Sequence, residues 1–438
     1  MRIGIDIDNT IIDYNASFLK NFSKVHLSKK KVFEVPNNQN IATKKQIKKY
    51  IYREIGEEKW QKLQTYVYGE GIKYAKIFPE FLNFLLLAIN YNTEIYLVSH
   101  KTKYAHNNKK VLLRKKCISF LRKKNVISTN LLDINNIYFC STREEKISKI
   151  NSLKCDYFID DLKEVLADKG FPKNTIKILF NDFTNDKNIK SFNSWRLIKN
   201  FIFHKNINLE IKLISSYLLK EKINIVKKIK SKGKNSEIFK IYNKNKSYCL
   251  KLYPDLSFDK RNRLSNESIN ITNLLKNGIT QVPKINISSS ELNCTIFEWF
   301  EKDKDQITPN KKNLSIILQF LKKINSKNSN LKKHSLKASA SCFNGIDIQN
   351  QIEKRYNTIY QDNIKNKKIT NYLQKKILPT IIKEFNISKR IFPLYFTKKY
   401  LSKNIIFSQS DLGFHNIIKV KNKYKFIDFE YAGIDDPV

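Results

Sequence analysis

Arg2-Ile3-Gly4-Ile5-Asp6-Ile7-Asp8-Asn9-Thr10 opens the chain with an apolar, β-branched run that ends in two acids two residues apart. Side chains on an extended segment alternate between faces, so Asp6 and Asp8 at a strand end can project from the same edge toward a ligand. The spacing predicts a strand over residues 3–7. Working outward, similar short apolar runs recur at 94–98, 137–140, 157–159 and 176–180, with longer amphipathic stretches between them. That alternation predicts a parallel sheet with crossover helices, an α/β doubly wound domain over about 1–203. The second run leads into Ser99, and the fourth into Asp160 and Asp161. Ligands of open α/β sheets bind beyond the carboxyl ends of strands, so these residues are expected to share one crevice with Asp6 and Asp8.

A Lys-rich helical pattern over about 14–79, with helices expected at 44–56 and 57–68, interrupts the alternation and reads as a cap over the crevice. Thr142-Arg143-Glu144-Glu145 fits a capping box, which places Lys146 in the first turns of a helix leaving the sheet; Lys149, one turn on, is its rival. Cleavage of a phosphate ester by a carboxylate needs a nucleophile, a second carboxylate to protonate the leaving oxygen, and cations to offset the phosphoryl charge. Asp6 and Asp8 suit the first two roles, and Thr10 or Ser99 can bind phosphoryl oxygens. Lys146 can offset charge, and Asp160 with Asp161 can hold Mg²⁺ through hard oxygen ligands.

In this order the residues resemble the haloacid dehalogenase superfamily over about the first 200 positions, with Asp-x-Asp-x-Thr, a later Ser, a Lys and a paired acid. The resemblance implies a Rossmannoid domain with a helical cap, Asp6 as nucleophile and Asp8 as general acid/base. It implies Mg²⁺ held by Asp6, Asp160 and the backbone carbonyl of Asp8, with Asp161 as a further oxygen donor, and a small-molecule phosphate ester as substrate. Read separately, each acid is a polar residue at a strand end. Four ordered features after four apolar runs favour the joint reading.

After a linker helix at 204–223 the pattern changes to hairpin-like strands at 225–229, 238–242 and 248–253, the first turn holding Gly233. Lys251 lies on the third of these, Glu267 in a helix expected at 258–276, and strands at 282–287 and 294–300 complete a small sheet. Residues 308–385 read as mostly helical. Asp411-Leu412-Gly413-Phe414-His415-Asn416 and Phe426-Ile427-Asp428-Phe429-Glu430 follow near the end. Transfer of a γ-phosphoryl group needs backbone over the phosphates, a Lys on them, Mg²⁺, and an Asp facing the acceptor hydroxyl.

Residues 224–438 therefore look like the aminoglycoside phosphotransferase and choline kinase group, an α+β, protein-kinase-like fold. The resemblance implies Asp411 as catalytic base, Asn416 and Asp428 as Mg²⁺ ligands, Lys251 on the ATP phosphates with Glu267, Gly233 in the covering loop, and Glu298 to Phe300 near the adenine. The family commonly writes His-Gly before its catalytic Asp, where this chain has Gln409-Ser410. Relatives also continue through further helices, so a fragment or a reduced kinase-like domain is expected.

The formal charge is +42, yet only ten of the 82 basic residues are Arg. Phosphate-gripping surfaces favour Arg forks, and Lys spread among Asn and Ile reads as coding bias, so a nucleic-acid partner is not expected. The six Cys are widely spaced, as buried free thiols in a reducing compartment would be, and no apolar run approaches the roughly 20 residues a membrane span needs. The sequence thus predicts a soluble, cytoplasmic, bifunctional enzyme using Mg²⁺ and ATP: a phosphatase joined to a kinase of sugars, polyols or amino alcohols. An active phosphatase with a regulatory pseudokinase and a basic nucleic-acid-associated protein are the rival readings.

Overall fold

The computed structural model describes residues 1–25, 44–54, 56–105, 108–229, 236–254, 261–303, 307–397 and 404–436. The mixed α/β chain divides into two compact units: residues 1–226 with 289–293, and residues 227–288 with 294–438.

The first unit is built on six parallel strands in the order Ile189–Phe192, Ile176–Phe180, Tyr157–Asp160, Arg2–Ile5, Glu94–His100, Ile137–Cys140. The inner strands carry Ile3, Ile5, Leu97, Val98, Phe158 and Ile159, all fully buried, as expected for a parallel sheet covered on both faces. Gly4 faces Phe158 in register, and a Cβ there would lie 2.4 Å from the Phe158 ring, so the close strand contact requires glycine. From Arg2–Ile5 the chain steps outward to one edge, returns, and steps outward to the other. The order reverses between Arg2–Ile5 and Tyr157–Asp160, which is where such sheets open a crevice.

Three details depart from expectation. The first strand ends at Ile5, and after one more backbone bond from Asp6 to Ile159 the chain folds back at Ile7. The second continues to His100, and a sixth strand, Ile189–Phe192, joins the edge. Its polar Lys190 and Ser191 hid it from an apolar-run criterion.

The insertion contains helices Asn15–Val25, Lys44–Glu54 and Glu57–Tyr68, and its base is closed by the antiparallel pair Ile12–Asp13 and Lys76–Ile77. Phe18 stacks on Trp60 at 5.3 Å, and Tyr14 meets Tyr68 edge-on at 4.7 Å. The segment read as a linker forms helix Ile207–Leu219 within the first unit. Lys199 Nζ joins that helix by reaching Glu210 at 2.5 Å and Glu80 at 3.0 Å.

The second unit contains a sheet ordered Ile225–Ile229, Glu237–Tyr242, Ser247–Leu252, Cys294–Glu298, Ile285–Ser289, and helix Arg263–Lys276. The described remainder includes helices Lys311–Ser326, Gly345–Asp362 and Leu378–Ile391, and the hairpin Ile417–Val420 with Lys423–Phe426. Its core gathers Ile271, Leu274, Phe320, Phe407, Phe426 and Phe429, with the rings of Phe320 and Phe426 stacked at 3.6 Å. Among the described residues no helix is long and apolar enough to cross a membrane.

Candidate functional site

At the point of strand reversal, Asp6 still donates its N–H to Ile159 O at 2.9 Å, which sets its carboxylate beside the end of the neighbouring strand. The chain then folds back: Ile7 O accepts from Ile11 N and Ile12 N, and Asn9 adopts φ 61°, a left-handed conformation that Asn tolerates well. Thr10 is thereby buried under Trp195, whose indole N–H donates to Thr10 O at 2.8 Å. Helix Arg143–Leu153 starts at Thr142, whose hydroxyl accepts from Glu145 N, and this cap aims Lys146 into the crevice. Lys146 Nζ lies 2.6 Å from both Asp6 Oδ1 and Asp160 Oδ2, bridging the two strands. Lys149 instead sits over the Tyr138 ring at 4.6 Å.

Burial pushes the Asp6 carboxyl up to about 7 against the pull of Lys146, with Asp160 and Asp8 adding to the rise. Burial, Asp6 and Asp160 likewise raise Asp161 well above the carboxylate range. Burial works against the charge of Lys146, but Asp160 and Asp6 outweigh it, and its ammonium is held charged. Asp6, Asp160 and Asp161 offer oxygens within 4.8 Å of one another, a hard, anion-rich donor set that fits Mg²⁺. Asp8, expected to offer its backbone carbonyl to the metal, keeps its carboxylate outside this group. Its carboxylate takes Lys101 Nζ at 2.6 Å and the Tyr14 hydroxyl at 2.9 Å. The hydroxyls of Thr10 and Ser99 are buried and have no hydrogen-bond partner among the described residues. Two buried hydroxyls with unused donors suit an anionic ligand.

In the second unit, Lys251 Nζ is surrounded by Glu267 at 2.8 Å, Asp428 at 2.7 Å and Glu430 at 2.9 Å. Glu267 also accepts from the Tyr253 hydroxyl at 2.7 Å and from Phe429 N at 3.1 Å, so helix, strand and the 428–430 loop meet on one carboxylate. Arg263 and the Ser236 hydroxyl both bond Glu430. Burial opposes the charge on Lys251, yet Glu267, Tyr253, Asp428 and Glu430 raise it well above the ordinary lysine range. Glu267, Asp428 and Glu430 form a second group of oxygens within 4.8 Å.

Asp411 lies on a half-exposed loop, its Oδ1 3.6 Å from His415 Nε2. Asn416 Nδ2 donates to Asp411 O at 2.9 Å, and Asn416 O accepts from Ile427 N at 2.9 Å, which ties this loop to the residue before Asp428. Gln409 is buried and donates to Ile427 O at 3.3 Å, while Ser410 adopts φ 65°, a conformation that glycine takes more readily. Asn416, expected as a metal ligand beside Asp428, is thus tied through its backbone to the residue preceding Asp428. Glu298, expected near the adenine, bonds Lys284 N with its carboxylate at 2.8 Å. Gly233 lies outside the described residues.

No family model matches the chain, and no curated protein does. Among solved structures, the chain is similar to choline kinase LicA from Streptococcus pneumoniae, with 18% identity over 53% of this chain and 71% of that one, at a TM-score of 0.37. It is similar to an ethanolamine kinase of Plasmodium vivax, with 18% identity over 55% of this chain and 68% of that one, TM-score 0.36. A spectinomycin phosphotransferase, APH(9)-Ia, in complex with ADP and spectinomycin aligns at 12% identity over 52% and 70%, TM-score 0.35. These values are too low to assign the chain to any of these groups.

Several participants carried a signal that sequence reading passed over. Lys101 follows Ser99 by two residues, Tyr253 follows Lys251 by two, and Glu430 follows Asp428 by two. For the strand residues, period two returns the next side chain to the same face. Lys44, Tyr14 and Tyr68 come from the insertion, and nothing local to them points at Asp8.

Proposed function

We propose that the first unit hydrolyses phosphate monoesters through Asp6 and that the second transfers a phosphoryl group from ATP to a hydroxyl of a small molecule. The observation that carries the first half is the Asp6–Lys146–Asp160 bridge at the strand reversal, and the buried, partnerless hydroxyls of Thr10 and Ser99 add to it. In this reading Asp6 attacks phosphorus and the P–O bond to the leaving group breaks. Asp8 protonates the departing oxygen, then removes a proton from the water that opens the aspartyl phosphate, returning both acids to their starting states. Thr10, Ser99 and Lys146 bind the phosphoryl oxygens throughout. Mg²⁺ held by Asp6, Asp160 and Asp161 would offset the phosphoryl charge.

The second half is supported by Lys251 set among Glu267, Asp428 and Glu430. Lys251 is placed to neutralise nucleotide phosphates, with Glu267 orienting it. Asp428 and Glu430 offer oxygen donors for the metal that accompanies ATP, and Asp411 faces the acceptor hydroxyl.

The test is phosphate release and ATP consumption over a panel of free and phosphorylated sugars, polyols and amino alcohols with Mg²⁺, comparing wild type with Asp6→Asn and Asp411→Asn. Loss of one activity in each variant is expected. Absence of both activities in the wild type would overturn the reading, and ester hydrolysis alone would leave the second unit a binding or regulatory module.

A further inference from the structure

The first site holds four acids, Asp6, Asp8, Asp160 and Asp161, and three lysines drawn from different elements. Lys146 is committed to Asp6 and Asp160, and Lys101 to Asp8. Lys44 is different. It opens helix Lys44–Glu54 of the insertion, its backbone N–H anchored on Asn15 Oδ1 at 3.1 Å. Its ammonium lies 5.9 Å from the centre of the Tyr68 ring and 5.8 Å from that of Phe18, and among the described residues it has no carboxylate within ion-pair distance. Burial works against its charge, but Tyr68, whose side chain it hydrogen-bonds, together with Asp161 and Asp8, outweighs it. Lys101 Nζ lies 4.9 Å from the same Tyr68 ring, and Tyr14, edge-on to Tyr68, holds Asp8. Tyr68 therefore sits beside two ammoniums, Lys101 paired with a carboxylate and Lys44 hydrogen-bonded to Tyr68 itself, with no carboxylate partner among the described residues.

A half-buried ammonium with no carboxylate partner is an unfavourable arrangement unless an anion completes it. A phosphate ester at Asp6 brings negative charge into a crevice already holding four carboxylates, and Lys44 is a cation there that no carboxylate among the described residues engages, free to add to the charge offset by Lys146. We propose that Lys44 is a substrate-binding residue, an ammonium delivered by the insertion that takes an anionic oxygen of the phosphoryl group bound at Asp6. The inference rests on the reading of the first unit as a phosphate-ester site. It gives the insertion a function of its own, since the substrate is then held from the sheet and from the helices above it at once.

Inorganic phosphate is the probe. Binding to the full chain in the presence of Mg²⁺ is measured by calorimetry for wild type, Lys44→Met, Lys44→Gln and Lys44→Arg, with the unfolding temperature of each recorded without phosphate. The expected result is a dissociation constant raised at least tenfold in Lys44→Met and Lys44→Gln, and within about threefold of wild type in Lys44→Arg. For any ester the protein hydrolyses, KM rises more than kcat falls. Equal phosphate affinity in wild type and in folded Lys44→Met or Lys44→Gln overturns this assignment alone. A wild type that binds no phosphate overturns the phosphoryl reading of the site together with it.

Discussion

Asp8 and Lys101 form an ion pair of 2.6 Å in which the lysine side chain is 3% exposed and the aspartate 20%. With Tyr14 on its other oxygen, Asp8 is held in one orientation by two partners, neither of which neighbours it in sequence. Removing the cation leaves a mostly buried carboxylate unpaired. Lys101→Met is expected to lose about 3 kcal/mol of stability and most ester hydrolysis, whereas Tyr14→Phe loses about 1 kcal/mol. Denaturant unfolding of the two variants with parallel phosphatase assays checks the ranking, and an unaffected Lys101→Met would contradict it.

The Asp6 carboxyl titrates near 7 in the folded protein against 3.8 ordinarily. The folded state then holds the proton more tightly than the unfolded one, so the contribution of Asp6 to stability is greatest at low pH and is lost as pH rises toward 7. In the presence of EDTA, the unfolding temperature of Asp6→Asn relative to wild type is expected to increase between about pH 5 and pH 8. Added Mg²⁺ should reduce that difference by stabilising the ionised wild-type carboxylate. A difference that shrinks with rising pH would refute the sign.

Lys251 and Asp411 should separate binding from turnover. Lys251→Met removes the cation shared by Glu267, Asp428 and Glu430, and is expected to weaken ATP binding at least tenfold and to lower stability by about 3 kcal/mol. Asp411→Asn should keep nucleotide affinity within about twofold while phosphotransfer falls by 10² or more, on the order that general-base catalysis supplies. Calorimetry with ATP, beside an ATP-consumption assay, decides between them. Equal loss of affinity in both variants would mean that Asp411 supports the nucleotide site rather than the acceptor.

Ser410 holds φ 65° immediately before Asp411. A left-handed conformation costs a residue with a Cβ roughly 1–2 kcal/mol, partly offset by the greater freedom that glycine has when unfolded. Ser410→Gly is expected to raise stability by about 0.5 kcal/mol without loss of phosphotransfer, as read by urea unfolding. Destabilisation would show that the serine side chain contributes more than its backbone strain removes.

Much of the first unit was legible in the sequence because a parallel sheet advertises itself: Ile3, Leu97, Phe158 and Ile178 sit in short, mostly apolar runs, and each of three runs ends at a polar residue of the crevice. The Lys146 assignment was legible through the Thr142 cap, which fixes helical phase. What escaped were contacts made across the fold. Lys44 and Tyr68 approach Asp8 only after the insertion helices pack on Phe18 and Trp60, a tertiary event without local pattern. The strand Ile189–Phe192 escaped because an edge strand needs no apolar run, and the engagement of Glu298 with Lys284 depends on pairing across the sheet edge.

Both acidic clusters carry a built-in counter-ion. Lys146 bridges two carboxylates of one and Lys251 all three of the other, so a lysine already ties each group together. Small metal-dependent domains fold only when loaded, because nothing else holds their ligands together. On the proposed reading the order would be inverted: the chain would assemble first and take up its ions afterwards, and chelation would pause activity reversibly rather than denature the protein.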